Sequence, residues 1–179
     1  MDYETPSDSD YVTSTNPERF AAVIEFAERM IDELEATYEV QRAEGGRKMD
    51  FPAGLSRVLS RPATLLSPSS GVRLAFGFTE GPPGTLLRVG GNTTVAFPVC
   101  GCDACNLQVD ELCVDLQFHV DAVTSGGYTE ELTRRSHSWS FQIPSRGKRS
   151  SHRRLHRGEW KRIGTRGQFD WEPWLRRSA

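Results

Sequence analysis

Apolar residues recur at Phe20, Ile24, Ala27, Ile31, Leu34 and Tyr38, at alternating spacings of four and three. That spacing places them in one stripe along a helix, with Val23 and Met30 beside it. Asn16-Pro17-Glu18 supplies a start signal. Asn16 can cap, Pro17 suits the first turn because it lacks an N–H, and Glu18 suits the positive helix end. The stripe predicts a helix of about six turns, stopped at Gly45-Gly46. The stretch 50–70 is rich in Pro and Ser and reads as loop, with Leu55, Val58 and Leu59 forming one short helical turn or anchoring that loop.

From Val72 the period changes to two. Val72, Leu74, Phe76 and Phe78 alternate with Arg73, Ala75 and Gly77, which predicts a strand. Turns at Glu80–Gly84 and Gly90-Gly91-Asn92 set off strands at Leu86–Val89 and Thr93–Val99, an antiparallel meander. A second helix is predicted from Asp103 to Val123. Cys105, Val109, Leu112, Leu116 and Val123 share one side, Leu107, Val114 and Phe118 lie on others, and Gly126-Gly127 is the stop. Glu131 to Ile143 alternates as one long strand closed by Pro144, and a basic loop follows from Arg146 to Arg157. Trp160 and Ile163 suggest a last short strand, and Phe169, Trp171, Trp174 and Leu175 form an aromatic clip. The pattern as a whole predicts an α+β fold: an antiparallel sheet of four or five strands with two long helices packed on one face. Residues 1–15, polar and rich in Ser, Thr and Asp, read as a flexible N-terminal arm, and 16–179 as a single α+β domain.

Composition adds exclusions. At 179 residues and 37% hydrophobic, the chain has enough apolar material for a core without disulfides. Its formal net charge of -2 gives no global attraction to nucleic acid or anionic membrane. No run approaches the length of a bilayer span, and the first residues contain neither a basic region nor an apolar run. A cytoplasmic location with reduced cysteines is therefore expected. The charge is uneven: net -8 over residues 1–50, -4 over 51–133 and +10 over 134–179. The preferred use of this asymmetry is internal, with the basic 146–157 loop laid against the acidic first helix. A weak nucleic-acid interface, with Trp160, Trp171 and Trp174 available for stacking, is the lesser alternative. No recognition helix, finger spacing or KH loop accompanies it.

The compact chemical signal is Cys100-Gly101-Cys102-Asp103-Ala104-Cys105, where a strand feeds a helix. Three readings compete. Thiolates at Cys100, Cys102 and Cys105 could hold one zinc, with a fourth ligand still to be found. His137 on a neighbouring strand is a candidate, whereas Cys113 lies about 12 Å along the helix from Cys105, too far to share the ion. Cys102 and Cys105 form a CxxC at a helix start, the context of a dithiol redox pair, but Asp103 sets a negative charge beside the thiolate. The preferred reading makes the cysteines small buried hydrophobes, Cys113 above all. Elsewhere His119 with Asp115 one turn before it, the pair Glu111 and Asp115, and His137 all read more simply as satisfied core or solvated face than as acid–base machinery. No GxSxG, HExxH, P-loop or dinucleotide fingerprint occurs, and no enzyme class rises above background. The reading is a protein of unknown function, structural or small-partner-binding, without an evident catalytic site or a required cofactor. A protein partner or self-association is open to it, and no membrane.

The run Phe97-Pro98-Val99-Cys100-Gly101-Cys102-Asp103-Ala104-Cys105, the acidic helix after it and the closing Phe169-Asp170-Trp171-Glu172-Pro173-Trp174 resemble an uncharacterised family of small proteins from high-GC actinobacteria. The resemblance implies a bacterial cytoplasmic origin and one compact domain. The family has no assigned activity, so it implies no catalytic residue.

Overall fold

A computed structural model describes residues 13–50, 56–155 and 167–178. The apolar stripe forms a helix as predicted, but the helix is shorter. One 3-10 turn at Pro17–Phe20 leads into α1 (Ala21–Thr37), whose Val23, Ala27, Met30, Ile31 and Leu34 are buried. Asn16 precedes the turn without a side-chain capping bond, while Pro17 takes the first position. The helix ends at Thr37, not at Gly45-Gly46, because tertiary contacts pull Tyr38 into an extended conformation. Tyr38 bridges Arg176 and meets Trp174 edge-on, with ring centroids 5.6 Å apart. The Glu39 N–H then donates to Leu175 O at 2.8 Å.

The chain goes on as β1 (Val40–Glu44), where the helix was expected to continue, then β2 (Lys48–Asp50), and then β3 (Ser56–Val58) and β4 (Thr64–Pro68), where a loop was expected. Leu55 lies outside the described residues. The predicted meander is present as β5 (Leu74–Glu80), β6 (Pro83–Val89) and β7 (Thr93–Phe97). These strands form a five-stranded antiparallel sheet in the order β1-β4-β5-β6-β7. Its two faces are both covered. Leu74, Phe76, Phe78, Leu87, Val89 and Phe97 face the main core with α1. Ala75, Leu86 and Ala96 face a smaller cluster closed by Met49 and Leu59. Burial on both faces explains why β5 reads as a nearly continuous apolar run.

The second predicted helix is divided. Asp103–Cys105 is a 3-10 turn ended by Asn106 in the left-handed region (φ 42°), and α2 spans Val109–Thr124. Val114 is exposed, whereas Phe118 and His119 are buried. The helix stops where the glycines predict. Gly126 has φ +77°, its N–H donates to Val123 O, and the Gly127 N–H donates to Ala122 O.

The expected long strand 131–143 is a hairpin, β8 (Tyr128–Leu132) and β9 (Ser136–Ile143), turned at Thr133 through its hydroxyl bonds to Ser136. The basic loop is instead a strand, β10 (Gly147–Arg154), paired with β9. With β11 (Gly167–Asp170) on β8 these make a second antiparallel sheet, in the order β10-β9-β8-β11. His156, Arg157 and the short strand expected around Trp160 and Ile163 lie outside the described residues.

The fold is α+β and antiparallel, but with two main sheets rather than one. α1 packs on the five-stranded sheet, while α2 packs on α1 and on β9. Tyr128 and Phe141 of the second sheet join the same core as α1. Among the described residues no helix is long and apolar enough to cross a membrane.

Candidate metal centre

β7 leaves the sheet through Phe97-Pro98-Val99 and enters the cysteine loop. The loop is pressed against neighbouring elements. A Cβ on Gly101 would stand 3.0 Å from the Pro82 side chain in the β5–β6 turn, and the Phe20 ring lies 3.7 Å from the same point. Residues 13–15, the described end of the expected arm, fasten the other side. Ser14 Oγ donates to Gly101 O at 2.7 Å, the Asp103 N–H donates to Thr13 O at 2.9 Å, and the Asp103 carboxylate accepts the Thr15 N–H at 3.1 and 3.2 Å.

The chain turns tightly enough to bring three sulfurs together. Cys100 Sγ lies 3.0 Å from Cys102 Sγ, and Cys102 Sγ lies 3.4 Å from Cys105 Sγ. All three fall within 4.8 Å of one another. Two thiolates on one tetrahedral zinc stand about 3.8 Å apart, since each bond is about 2.3 Å. The sulfurs thus converge on that scale rather than pointing apart. Cys102 is 8% exposed yet belongs to neither apolar cluster, Cys100 is half-buried and Cys105 is exposed. The burial of Cys102 is what the core reading expects, whereas the exposure of Cys105 is not. The core reading suits Cys113, which packs against the main core and whose thiol is pushed up by burial and then by Asp110.

The shared contacts also polarise the group. Hydrogen bonding to Cys100, and then to Cys105, holds the Cys102 thiol below its ordinary range. The Cys105 thiol is pushed up to about 11, chiefly by its contact with Cys102. Adjacent thiols resist releasing all their protons into water, and a bound cation removes that resistance.

A fourth protein ligand does not join the three cysteines among the described residues. His137 is elsewhere, its Nε2 2.8 Å from Glu130 Oε1, so it does not close the site. His119 Nδ1 bonds the Asp115 backbone carbonyl at 2.7 Å inside a ring of Phe97, Phe118 and Phe141. Burial holds the imidazole pKa down at about 4, which makes it a neutral core histidine. Asp115 forms an ion pair with Arg149, and Glu111 is exposed.

A profile described as "Family of unknown function (DUF6226)" matches residues 2–178. The chain belongs to that family. No curated protein and no solved structure matches the chain. Membership therefore supplies no catalytic residue.

Sequence reasoning missed a second polar cluster. Glu130 and His137 are both 3% exposed and sit between the sheets with Thr93 and Tyr128. Thr93 Oγ1 donates to Glu130 Oε1 at 3.1 Å and Tyr128 Oη donates to Thr93 Oγ1 at 2.8 Å. Burial and the Glu130 charge push the Tyr128 phenol above its ordinary range. The available signal was the register. Glu130 lies between Tyr128 and Leu132 at a period of two, so it shares their buried face.

Proposed function

We propose that Cys100, Cys102 and Cys105 form a thiolate site for zinc, with the fourth position taken by water or another donor, in a protein that binds rather than turns over a substrate. The observation that carries this reading is the convergence of three sulfurs on one loop. Such an ion would fasten the β7 exit, the β5–β6 turn at Pro82 and the segment 13–15, so its role is structural. Thiolate ligands suit zinc over hard cations, which prefer oxygen.

A dithiol pair has one observation in its favour, the lowered Cys102 pKa. The arrangement of exposure weighs against it. A redox nucleophile must be both low in pKa and reachable. Here the exposed thiol, Cys105, is the one pushed up to about 11, and Cys102 is buried.

The test is elemental analysis of protein purified without chelator, with thiol titration alongside. We expect about one zinc per chain, in line with a single thiolate site. Loss of the metal is expected in Cys102→Ser and retention in Cys113→Ser. Chelation should lower the melting temperature. Protein carrying well under one equivalent of zinc, also after reconstitution under reducing conditions, would overturn the reading. In that case a reversible Cys102–Cys105 disulfide would identify the redox alternative.

A further inference from the structure

The two sheets meet at a cleft of about 560 Å³, bounded by the end of β4, the β4–β5 and β6–β7 turns, β8 and the segment after β11. Its volume is in the range of small-molecule sites. Three polar groups line it with bonding capacity unused. Glu130 Oε1 is fully engaged by His137 and Thr93, but Glu130 Oε2 has only a 3.4 Å contact from Asn92 Nδ2. The Trp171 Nε1–H is buried and has no hydrogen-bond partner among the described residues. Arg73 is exposed, and its guanidinium makes no ion pair or hydrogen bond among the described residues. Phe169 and Trp171 stack with ring centroids 6.1 Å apart and supply an apolar wall.

A buried indole N–H is costly to leave unpaired, and a buried carboxylate oxygen that holds one long bond from Asn92 still has a lone pair to offer. Two such groups of opposite sense on one cleft, with a free guanidinium at its mouth, ask for a ligand with a donor and an acceptor. We infer that this cleft binds a small zwitterion of the amino-acid type, its ammonium on Glu130 and its carboxylate on Arg73 and the Trp171 N–H. His137, Thr93 and Tyr128 are then positioning residues, fixing the Glu130 carboxylate from behind so that Oε2 is the oxygen left for the ligand. The cleft shares no residue with the cysteine loop, so this inference stands or falls separately from the zinc reading.

The experiment is calorimetric and tryptophan-fluorescence titration of the full chain with free L-amino acids, in parallel with their N-acetyl derivatives and with simple alkylamines. Concentrations should reach about 10 mM, which covers affinities at the weak end of small-ligand binding. We expect binding of at least one free amino acid, loss of that binding on N-acetylation, and no binding of the amine alone. Arg73 lies on the surface, so Arg73→Ala is expected to change stability little. It should weaken binding roughly tenfold or more, the loss of one charge-assisted contact. Glu130→Gln should weaken it similarly and, if that variant fails to fold, Asn92→Ala tests the same side of the cleft. No binding by any free amino acid, or equal binding of the N-acetylated form, would overturn the inference, as would affinity unchanged in Arg73→Ala.

Discussion

His119 shows how a single side chain can carry a pH dependence without belonging to a site. Its ring is enclosed by three phenylalanines and its Nδ1–H is used on the Asp115 carbonyl. Burial disfavours the charged form, so the folded pKa falls to about 4, below the 6.5 of a free imidazole. The unfolded chain therefore binds a proton that the folded one refuses between those values. The stabilisation is complete above pH 6.5, is lost as pH falls toward 4, and the loss levels off below 4. The full change is about 3 kcal/mol for a shift of this size. Urea denaturation of the wild type and of His119→Gln at pH 7 and pH 4.5 should show a smaller acid loss in the variant. Equal losses would mean that His119 does not contribute. Cys113 is half-buried against the main core, and desolvation, then Asp110, raises its thiol, so alkylation of the folded protein should be slow there.

At the scale of elements, local signals decide an ending only where no distant contact competes. Gly126 ends α2 because the chain needs φ +77° there, and an added Cβ would stand 2.9 Å from Pro173 and 3.0 Å from Trp171 O. Gly126→Ala should therefore cost roughly 2 kcal/mol, combining left-handed strain with a backbone clash. Gly91→Ala, whose Cβ would meet nothing within 4 Å, should change stability by less than about 0.5 kcal/mol. Thermal melts of the two variants check the contrast, and equal effects would refute it. The meander and the stop of α2 were legible because period and turn residues agreed with the final packing. The end of α1 was not, because Tyr38 continues the helical stripe and only its contacts with Trp174 and Arg176 draw it away. β10 was hidden by composition, since Lys148, Arg149, Arg153 and Arg154 conceal an extended segment whose partner is β9. In the cysteine loop the three candidate residues were legible by residue type. The convergence of its sulfurs was not, because it depends on the turn ended by Asn106 and on the packing against Pro82.

At the scale of the whole molecule, two arginines of the basic segment are used internally, though not on the helix expected. Arg146 pairs with Asp121 and Arg149 with Asp115, so the β9–β10 hairpin lies on α2 rather than on α1. The two guanidinium groups also stand 5.5 and 4.2 Å from the Phe118 ring centroid. With these arginines engaged, salt-sensitive binding to DNA or RNA is not expected, and a titration at low and physiological salt checks it. The C-terminal segment is the other long-range tie. Trp174 is buried, its Nε1–H donates to Val72 O at 2.9 Å, and its backbone N–H donates to Thr124 O at 3.0 Å. Arg177 follows with donations to Glu35 O and Thr37 O, carbonyls that the end of α1 leaves without helical partners. One segment thus joins the β4–β5 turn, the end of α1 and the end of α2. Trp174→Ala should cost about 3–5 kcal/mol, the range for deleting a buried tryptophan. Truncation after Gly167 should cost more, because it also removes most of β11 and uncovers the end of α1. A melting temperature unchanged by the truncation would show that the three elements hold together without the tail. A fall for the truncation but none for Trp174→Ala would move the anchor to β11.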